Sequence, residues 1–509
     1  VFDGDGTKRV HAVASDGAAS RSDLGDRLER RQAGYTLIEP GGALVRDFES
    51  FGDPDSFLLV RVRDRNGNEI RLERGADGRI ASVVDSAQRR IAVSCDAEGR
   101  IRAFDYAGVR LLQLDYDDDG DLVAARDPLG HARRYGYAGH LLTKHELKDG
   151  LTYFWRYDRS GHEARCLETW GEFPGRADPA LALPPRTSSG GAPRVTVKGI
   201  FHHRFDYQPA QSYTEVTDAR GGVTRYESTE KSLVWKKVDP RGGVTTRAYD
   251  AHGALLAETY PNGRTIEWRR SPSGRVEQVI DPEGATILFG VDRADLTIKR
   301  TDPGGVSHSY LRDANGNIVH VDFPDGTVES CSYDHRGLMT RYVERDGATW
   351  LMEYDAEGNA VRRVHPDGGE TRVSYDAFGR WERLVDPEGH ETRYKYDARG
   401  DLREILYADG QSERLDYDAE GRSIRRQHPG GRVDRLEYGG HGWLAAHVDP
   451  LGRVTRHAYD AMGFPVRTEA PGGETYETVY DLQGNAIEMR TFDGRRVSHF
   501  YDNARRRIR

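Results

Sequence analysis

The chain has 509 residues, of which 31% are charged, a net charge of −9 and 58 glycines. Acids and bases interleave along its length, so no basic block marks a nucleic-acid surface, and no apolar run approaches the ~18 residues that cross a bilayer as a helix. The three cysteines, Cys95, Cys166 and Cys331, are too few and too widely spaced for a disulfide framework or a paired-cysteine metal site.

Mean hydropathy is −0.75, but 26 tyrosines and short aliphatic runs such as Phe57-Leu58-Leu59-Val60 supply sheets with one wet face rather than a disordered chain. No secretory leader pattern opens the sequence. Starting on Val1 and stopping nine residues into a repeat unit, it reads as a fragment of a longer protein.

In chain order, residues 1–62 form an N-terminal β segment outside any regular repeat. Asp23 to Gln32 is the one window with some helical spacing. "GYTLIEPGGALVRDFESF" alternates as strand, turn and strand, and Gly4-Asp5-Gly6 and Gly41-Gly42 read as turn glycines, not a phosphate cradle. Residues 63–158 hold irregular repeats, with units starting at Arg74, Cys95, Tyr116 and Tyr137, then Tyr157 after a step of 20. Across 159–206 the frame is lost. Glu172 to Arg194 is rich in Pro, Gly and Ser and reads as a surface loop, with partner binding or a plug as the sharper alternative.

From 207 to 509 the chain keeps strict time. Starting at Tyr249, a unit begins every 21 residues, giving twelve complete units without insertion or deletion. The fifteenth position is glycine in all twelve, the fifth in eleven with Asp295 the exception, and the thirteenth is proline in nine. Tyr-Asp opens most units, as at Tyr354-Asp355, Tyr375-Asp376 and Tyr396-Asp397.

Two glycine-marked turns per unit leave two runs of ordinary strand length. In "ETRYKYD", Thr392, Tyr394 and Tyr396 share one face and Arg393 and Lys395 the other. The prediction is an all-β protein of tandem 21-residue β-hairpins. Each hairpin ends in a tyrosine that stacks on its equivalents in a ladder, followed by an aspartate that serves the turn. At roughly 10 Å of sheet per hairpin, some twenty hairpins make a sheet too long to stay flat, so a hollow spiralling β-shell, part of one, or an open solenoid is expected.

Catalytic, cofactor-binding and metal-ligating residues are all predicted to be none. His202 and His203, flanked by His162 and Asp206, invite a metal reading, but adjacent strand residues point to opposite faces. Asp117-Asp118-Asp119 falls in a hairpin turn. No nucleophile elbow, Walker loop or H-E-x-x-H is present.

The unit "YDAFGRWERLVDPEGHETRYKY" resembles the Rhs/YD repeat of bacterial Rhs polymorphic toxins, of the C component of insecticidal toxin complexes, and of teneurins. "RDRNGNEIRLERGADGRIASVVDSAQRRIAV" (Arg63 to Val93) resembles the opening of a bacterial Rhs region, and "CLETWGE" (Cys166 to Glu172) a Trp-Gly segment that interrupts such arrays. The resemblance implies a secreted bacterial toxin used in competition. Its cocoon would enclose the protein's own C-terminal toxin domain as cargo, with delivery by type VI secretion through an adaptor or spike protein. It also implies a self-cleaving core beyond the repeats. Asp127-Pro128, Asp239-Pro240 and Asp449-Pro450 sit on ordinary hairpin turns, so cleavage is not assigned to them. The alternative is a cell-surface carbohydrate-binding or adhesion module. Nucleic acid and membrane spans are not expected as partners, and no enzyme activity is expected of this segment.

Overall fold

The computed structural model describes residues 20–21, 26–32, 34–39, 42–53, 56–175, 181, 198–272, 274–292, 296–502 and 506–508. The Gly4-Asp5-Gly6 turn, Gly41, and the Pro/Gly/Ser-rich stretch over 176–197 apart from Leu181 lie outside them. The described chain is all-β, with 44 strands and a short 3-10 turn at Pro209–Gln211.

Contacts group the chain into two units. One comprises Val1–Leu111, Tyr249–Ala257 and Thr265–Tyr394, and the other Leu112–Ala248, Glu258–Arg264 and Lys395–Arg509. In each, strands pair antiparallel with their chain neighbours, as Trp381–Val385 does with the strand that starts at Glu391. Thr392 and Tyr394 are half-buried while Arg393 and Lys395 are exposed, the predicted division of faces.

The two turns of a unit share one geometry. The Asp386 N–H donates to the His390 carbonyl at 3.1 Å and the Gly389 N–H to the Asp386 carbonyl at 3.0 Å. Asp397, Gly400 and Asp401 repeat this at 3.0 and 3.1 Å. The glycines sit at φ 87° and 102°, the left-handed fourth residue that lets a type I turn close a twisted hairpin. Gln88 and Ser232 take that place at φ 63° and 62° in two early turns.

Each turn also needs a side-chain acceptor for its free N–H groups, and the second turn finds one in two ways. In Asp-Pro-x-Gly, Asp386 Oδ1 accepts from Glu388 and His390 N–H at 3.0 and 2.8 Å. In x-Pro-Asp-Gly the acceptor moves two residues on, as Asp367 Oδ1 accepts from Gly369 N–H at 2.9 Å. The side chain released from capping then turns onto the strand, where His365 bonds Thr371 at 2.8 Å.

The tyrosines do not form a ladder. Equivalent tyrosines lie two strands apart, about 10 Å, beyond the 4.5–7 Å of ring contact. Instead unit after unit shows the hydroxyl donating to the carbonyl fifteen residues back: Tyr354 to Met339 at 2.7 Å, Tyr375 to Ala360 at 2.9 Å, Tyr417 to Leu402 at 2.8 Å and Tyr459 to Leu444 at 2.9 Å. Where arginine replaces tyrosine, its guanidinium reaches the same carbonyl: Arg74 to Leu59 at 3.1 Å, Arg270 to Leu255 at 3.3 Å and Arg312 to Thr297 at 3.1 Å.

The same bond accounts for the lost frame. Tyr157 donates to Leu142 at 2.9 Å, and Tyr207 to Cys166 at 2.9 Å. Asp158 still opens a turn, now closing on Arg165 at 3.0 Å, and Cys166–Glu172 pairs with Ile200–Gln208. Cys166–Glu172 and Ile200–Gln208 are therefore the paired strands of one enlarged hairpin. The 20-residue step before it arises where a two-residue turn, Gly139 (φ 56°) and His140 (φ 64°), replaces the longer one.

The helical spacing noted at Asp23 to Gln32 does not survive. Arg27–Arg31 is a strand paired with Gly34–Ile38, because a helix of ten residues is marginal alone and the neighbouring strand offers a full ladder.

Apolar burial is sparse. Among the described residues Leu151, Phe173 and Ile200 form the one buried apolar cluster, with Leu147, Tyr153 and Phe201 against it. The enlarged hairpin supplies Phe173, Ile200 and Phe201, and the preceding turn and strand supply Leu147, Leu151 and Tyr153.

Candidate functional site

In both units, turns remote in sequence meet. These seams, together with a buried charged cluster in the enlarged hairpin, are the places where side chains other than the repeating set do specific work.

The first unit's seam is neutral. Asn317 Nδ2 donates to Asn66 Oδ1 at 3.0 Å, Asn68 Nδ2 to the Arg336 carbonyl at 2.8 Å, and the Tyr106 hydroxyl to the Ala377 carbonyl at 2.8 Å. The Tyr106 and Phe378 rings meet edge to face, 5.4 Å between centroids.

The second unit's seam is charged. Lys148 Nζ lies 2.6 Å from Asp127 Oδ2, and Arg399 Nη1 approaches the same oxygen at 3.7 Å. Glu420 accepts from the Lys148 backbone N–H and from Arg133 at 3.0 Å, while Arg422 bonds Asp149 at 2.8 Å. Lys148, Asp127, Arg399 and Glu420 keep only 10–15% of their side chains exposed. Burial pushes the Asp127 carboxyl up, but the Lys148 ammonium outweighs it and leaves the group below its usual range. Further along, Arg241 reaches Asp481 at 3.4 Å.

In the enlarged hairpin, Glu168 is 5% exposed and His202 2%. Glu168 Oε1 lies 2.8 Å from His202 Nε2, and Oε2 lies 2.5 Å from Lys198 Nζ and 3.1 Å from Arg156 Nε. Burial raises this carboxyl, but the Lys198, His202 and Arg156 bonds overcome it and hold it at about 2. The Lys198 N–H faces His202 Nδ1 at 3.4 Å. That makes Nδ1 the acceptor and places the ring proton on Nε2, toward the carboxylate. The nearby Cys166 Sγ donates to the Glu168 carbonyl at 3.5 Å, and burial pushes its thiol up.

The structure separates the histidines that invited a metal reading. His203 Nδ1 faces the Phe201 carbonyl at 2.9 Å, His162 is exposed, and Asp206 bonds Gln208 at 3.1 Å. Asp117 caps its own turn, accepting from Asp121 N–H at 2.8 Å. Asp239 and Asp449 each accept two turn N–H groups at 2.9 Å.

Sequence reading passed over Asp386, Glu388 and His390, which bring three ligand-type atoms within 4.8 Å of one another. They share one solvent-facing turn in which Asp386 already caps two N–H groups and meets His390 Nδ1 at 3.1 Å. It also passed over the seams and the Glu168 cluster, whose partners lie far apart in the chain.

The sequence matches the Teneurin YD-shell family over residues 194–390 and 379–509. It is 26% identical over 246 residues to the probable deoxyribonuclease RhsB of Dickeya dadantii (strain 3937), covering 47% of this chain and 15% of that protein. It is 28% identical over 170 residues to the toxin protein Tse5 of Pseudomonas aeruginosa, covering 33% of this chain and 11% of that protein. The chain thus spans a small part of these relatives. The crystal structure of TcdB2-TccC3 superposes with a TM-score of 0.51 at 13% identity, over 94% of this chain and 32% of that one, a likeness of fold. With the matched residues covering well over half of its length and the hairpin repeat continuous through them, the chain belongs to the YD-shell family.

Proposed function

We propose that this chain is wall: the enclosing shell of an Rhs-type toxin, holding a C-terminal effector of the longer protein until it is delivered into a target cell. One observation carries the reading. The repeat invests its distinctive residues, the tyrosine, the turn aspartates and the glycines, in joining each strand to the next, so what the sequence maintains is sheet area. The relatives fit it, being named as a toxin and a probable deoxyribonuclease of which this chain matches only a minor part.

On this reading the wall carries no chemistry of its own. Residues 1–62, 63–158, 159–206 and 207–509 are successive stretches of one wall, and any catalytic activity belongs to the effector. The protein is secreted, by a type VI system through an adaptor or spike, in bacterial competition.

The test is electron microscopy of the full-length gene product, with its fragments sized on a denaturing gel. A closed particle with internal density and a separate C-terminal fragment is expected. An open ribbon without cargo would overturn the proposal and favour the adhesion reading, to be pursued by glycan-binding screens.

A further inference from the structure

The two seams differ in kind. We propose that the second unit's seam is an acid-releasable closure, whereas the first unit's seam is a permanent one. The inference concerns how remote turns separate and does not depend on what the wall encloses.

Four charge contacts join turns more than 200 residues apart among the described residues, and all lie in the second unit: Arg133–Glu420, Arg399–Asp127 with Lys148 beside it, Arg422–Asp149, and Arg241–Asp481. The groups facing one another there are the acids Asp127, Asp149, Asp401, Asp418 and Glu420 and the bases Arg133, Lys148, Arg399 and Arg422. Arg399 also meets Asp401, and Arg422 meets Asp418 at 2.7 Å. Two histidines flank them. His131 Nδ1 is 3.5 Å from Asp127. His145 stacks on Tyr135 and is held below its usual range by burial and by Arg133, with its Nε2 buried and unbonded.

At neutral pH five acids face four bases, so every base has a counter-charge. Protonating the carboxylates removes the counter-charges and leaves four cations within one contact, where like charges repel strongly. Asp127 is held low, so its contribution stands above the ordinary carboxylate range and is lost only as pH falls through its lowered value. In the first unit the bonds named above between remote turns carry no charge pair, and the carboxylates there, Asp64 and Asp313, instead hold the Asn68 and Asn317 amides from within their own turns at 2.7 and 2.9 Å. That seam's amide–amide, amide–carbonyl and hydroxyl–carbonyl bonds do not titrate in this range.

The test is hydrogen exchange read by mass spectrometry on the full 509-residue chain from pH 7 to pH 3, with rates corrected for intrinsic pH dependence. Peptides covering 147–151 and 418–422 should gain at least tenfold in exchange at a higher pH than peptides covering 64–68 and 334–338. At pH 7 the double variant Asp127→Asn with Glu420→Gln should reproduce the selective gain. Simultaneous opening of both seams, earlier opening of the first, or unchanged protection in the double variant would each overturn the proposal. Should that variant not fold, Arg422→Gln, which removes a base from the same contact without touching Asp127, should raise exchange at 147–151 alone, and protection there equal to that of the native chain would overturn it as well.

Discussion

The repeat's tyrosine invites a direct test at Tyr417. Its hydroxyl donates to the Leu402 carbonyl at 2.8 Å, and its ring is half-buried. Tyr417→Phe removes one neutral hydrogen bond, which should cost about 1 kcal/mol. Tyr417→Ala removes the ring as well. Fully buried aromatics cost about 3–5 kcal/mol on truncation, and a half-buried ring about half of that, so the total is roughly 3 kcal/mol. Tyr417→Arg is the informative change. Arg270 and Arg312 already occupy equivalent positions and reach the equivalent carbonyls at 3.3 and 3.1 Å. Arginine should therefore cost under about 1 kcal/mol despite being the larger chemical change. Opening free energies from native-state hydrogen exchange in the strands Leu402–Leu406 and Ser412–Tyr417 report the effect locally. If arginine costs as much as alanine, or phenylalanine costs nothing, the carbonyl bond is not what the tyrosine is for.

Two further outcomes follow from the charged groups. Lys148→Met leaves Asp127 its turn N–H bonds from Leu129 and His131 at 3.0 Å each, so the loss should be one charge-assisted bond, about 2 kcal/mol. Asp127→Ala removes those caps and strands the ammonium, and should cost about 3–5 kcal/mol. Exchange at 127–131 measures both, and equal costs would refute the asymmetry. Glu168, held at about 2 against an ordinary 4.5, contributes stability that is complete above the ordinary value and lost as pH falls through the lowered one. Glu168→Gln should flatten the fall of the thermal midpoint across that window, and an unchanged slope would remove the cluster's role.

The hairpins were legible in the sequence because their determinants are local. A glycine at φ 87° and an aspartate two and four residues from the N–H groups it caps leave a spacing that a period exposes. The tyrosine's partner was hidden because it is a backbone carbonyl, which has no identity in a sequence. The enlarged hairpin read as a lost frame for a related reason: the turn from Asp158 to Arg165 lengthened while Tyr157 and Tyr207 kept their roles. The seams had no local sign. Asn66 and Asn317 are 251 residues apart, and Asp149 and Arg422 are 273 apart, so only the folded ribbon brings them together.

The alternation of Asp-Pro-x-Gly with x-Pro-Asp-Gly is open to a test of the same kind. In His365-Pro366-Asp367-Gly368, Asp367 caps the Gly369 N–H at 2.9 Å and His365 bonds Thr371 at 2.8 Å. Asp367→Ala uncaps the turn and should cost about 1 kcal/mol, as the loss of other capping side chains does. Adding His365→Asp supplies an acceptor at the position that Asp386 uses, so the double variant should recover most of that loss, short only of the His365–Thr371 bond. The single His365→Asp variant keeps the original cap and gains nothing from a second, so it should be no more stable than the native chain. The recovery is therefore a coupling between two positions, read as a double-mutant cycle. If the two changes simply add, the acceptor's place in the turn is fixed by more than its geometry, and the two sequence forms are not equivalent solutions to one hydrogen-bonding need.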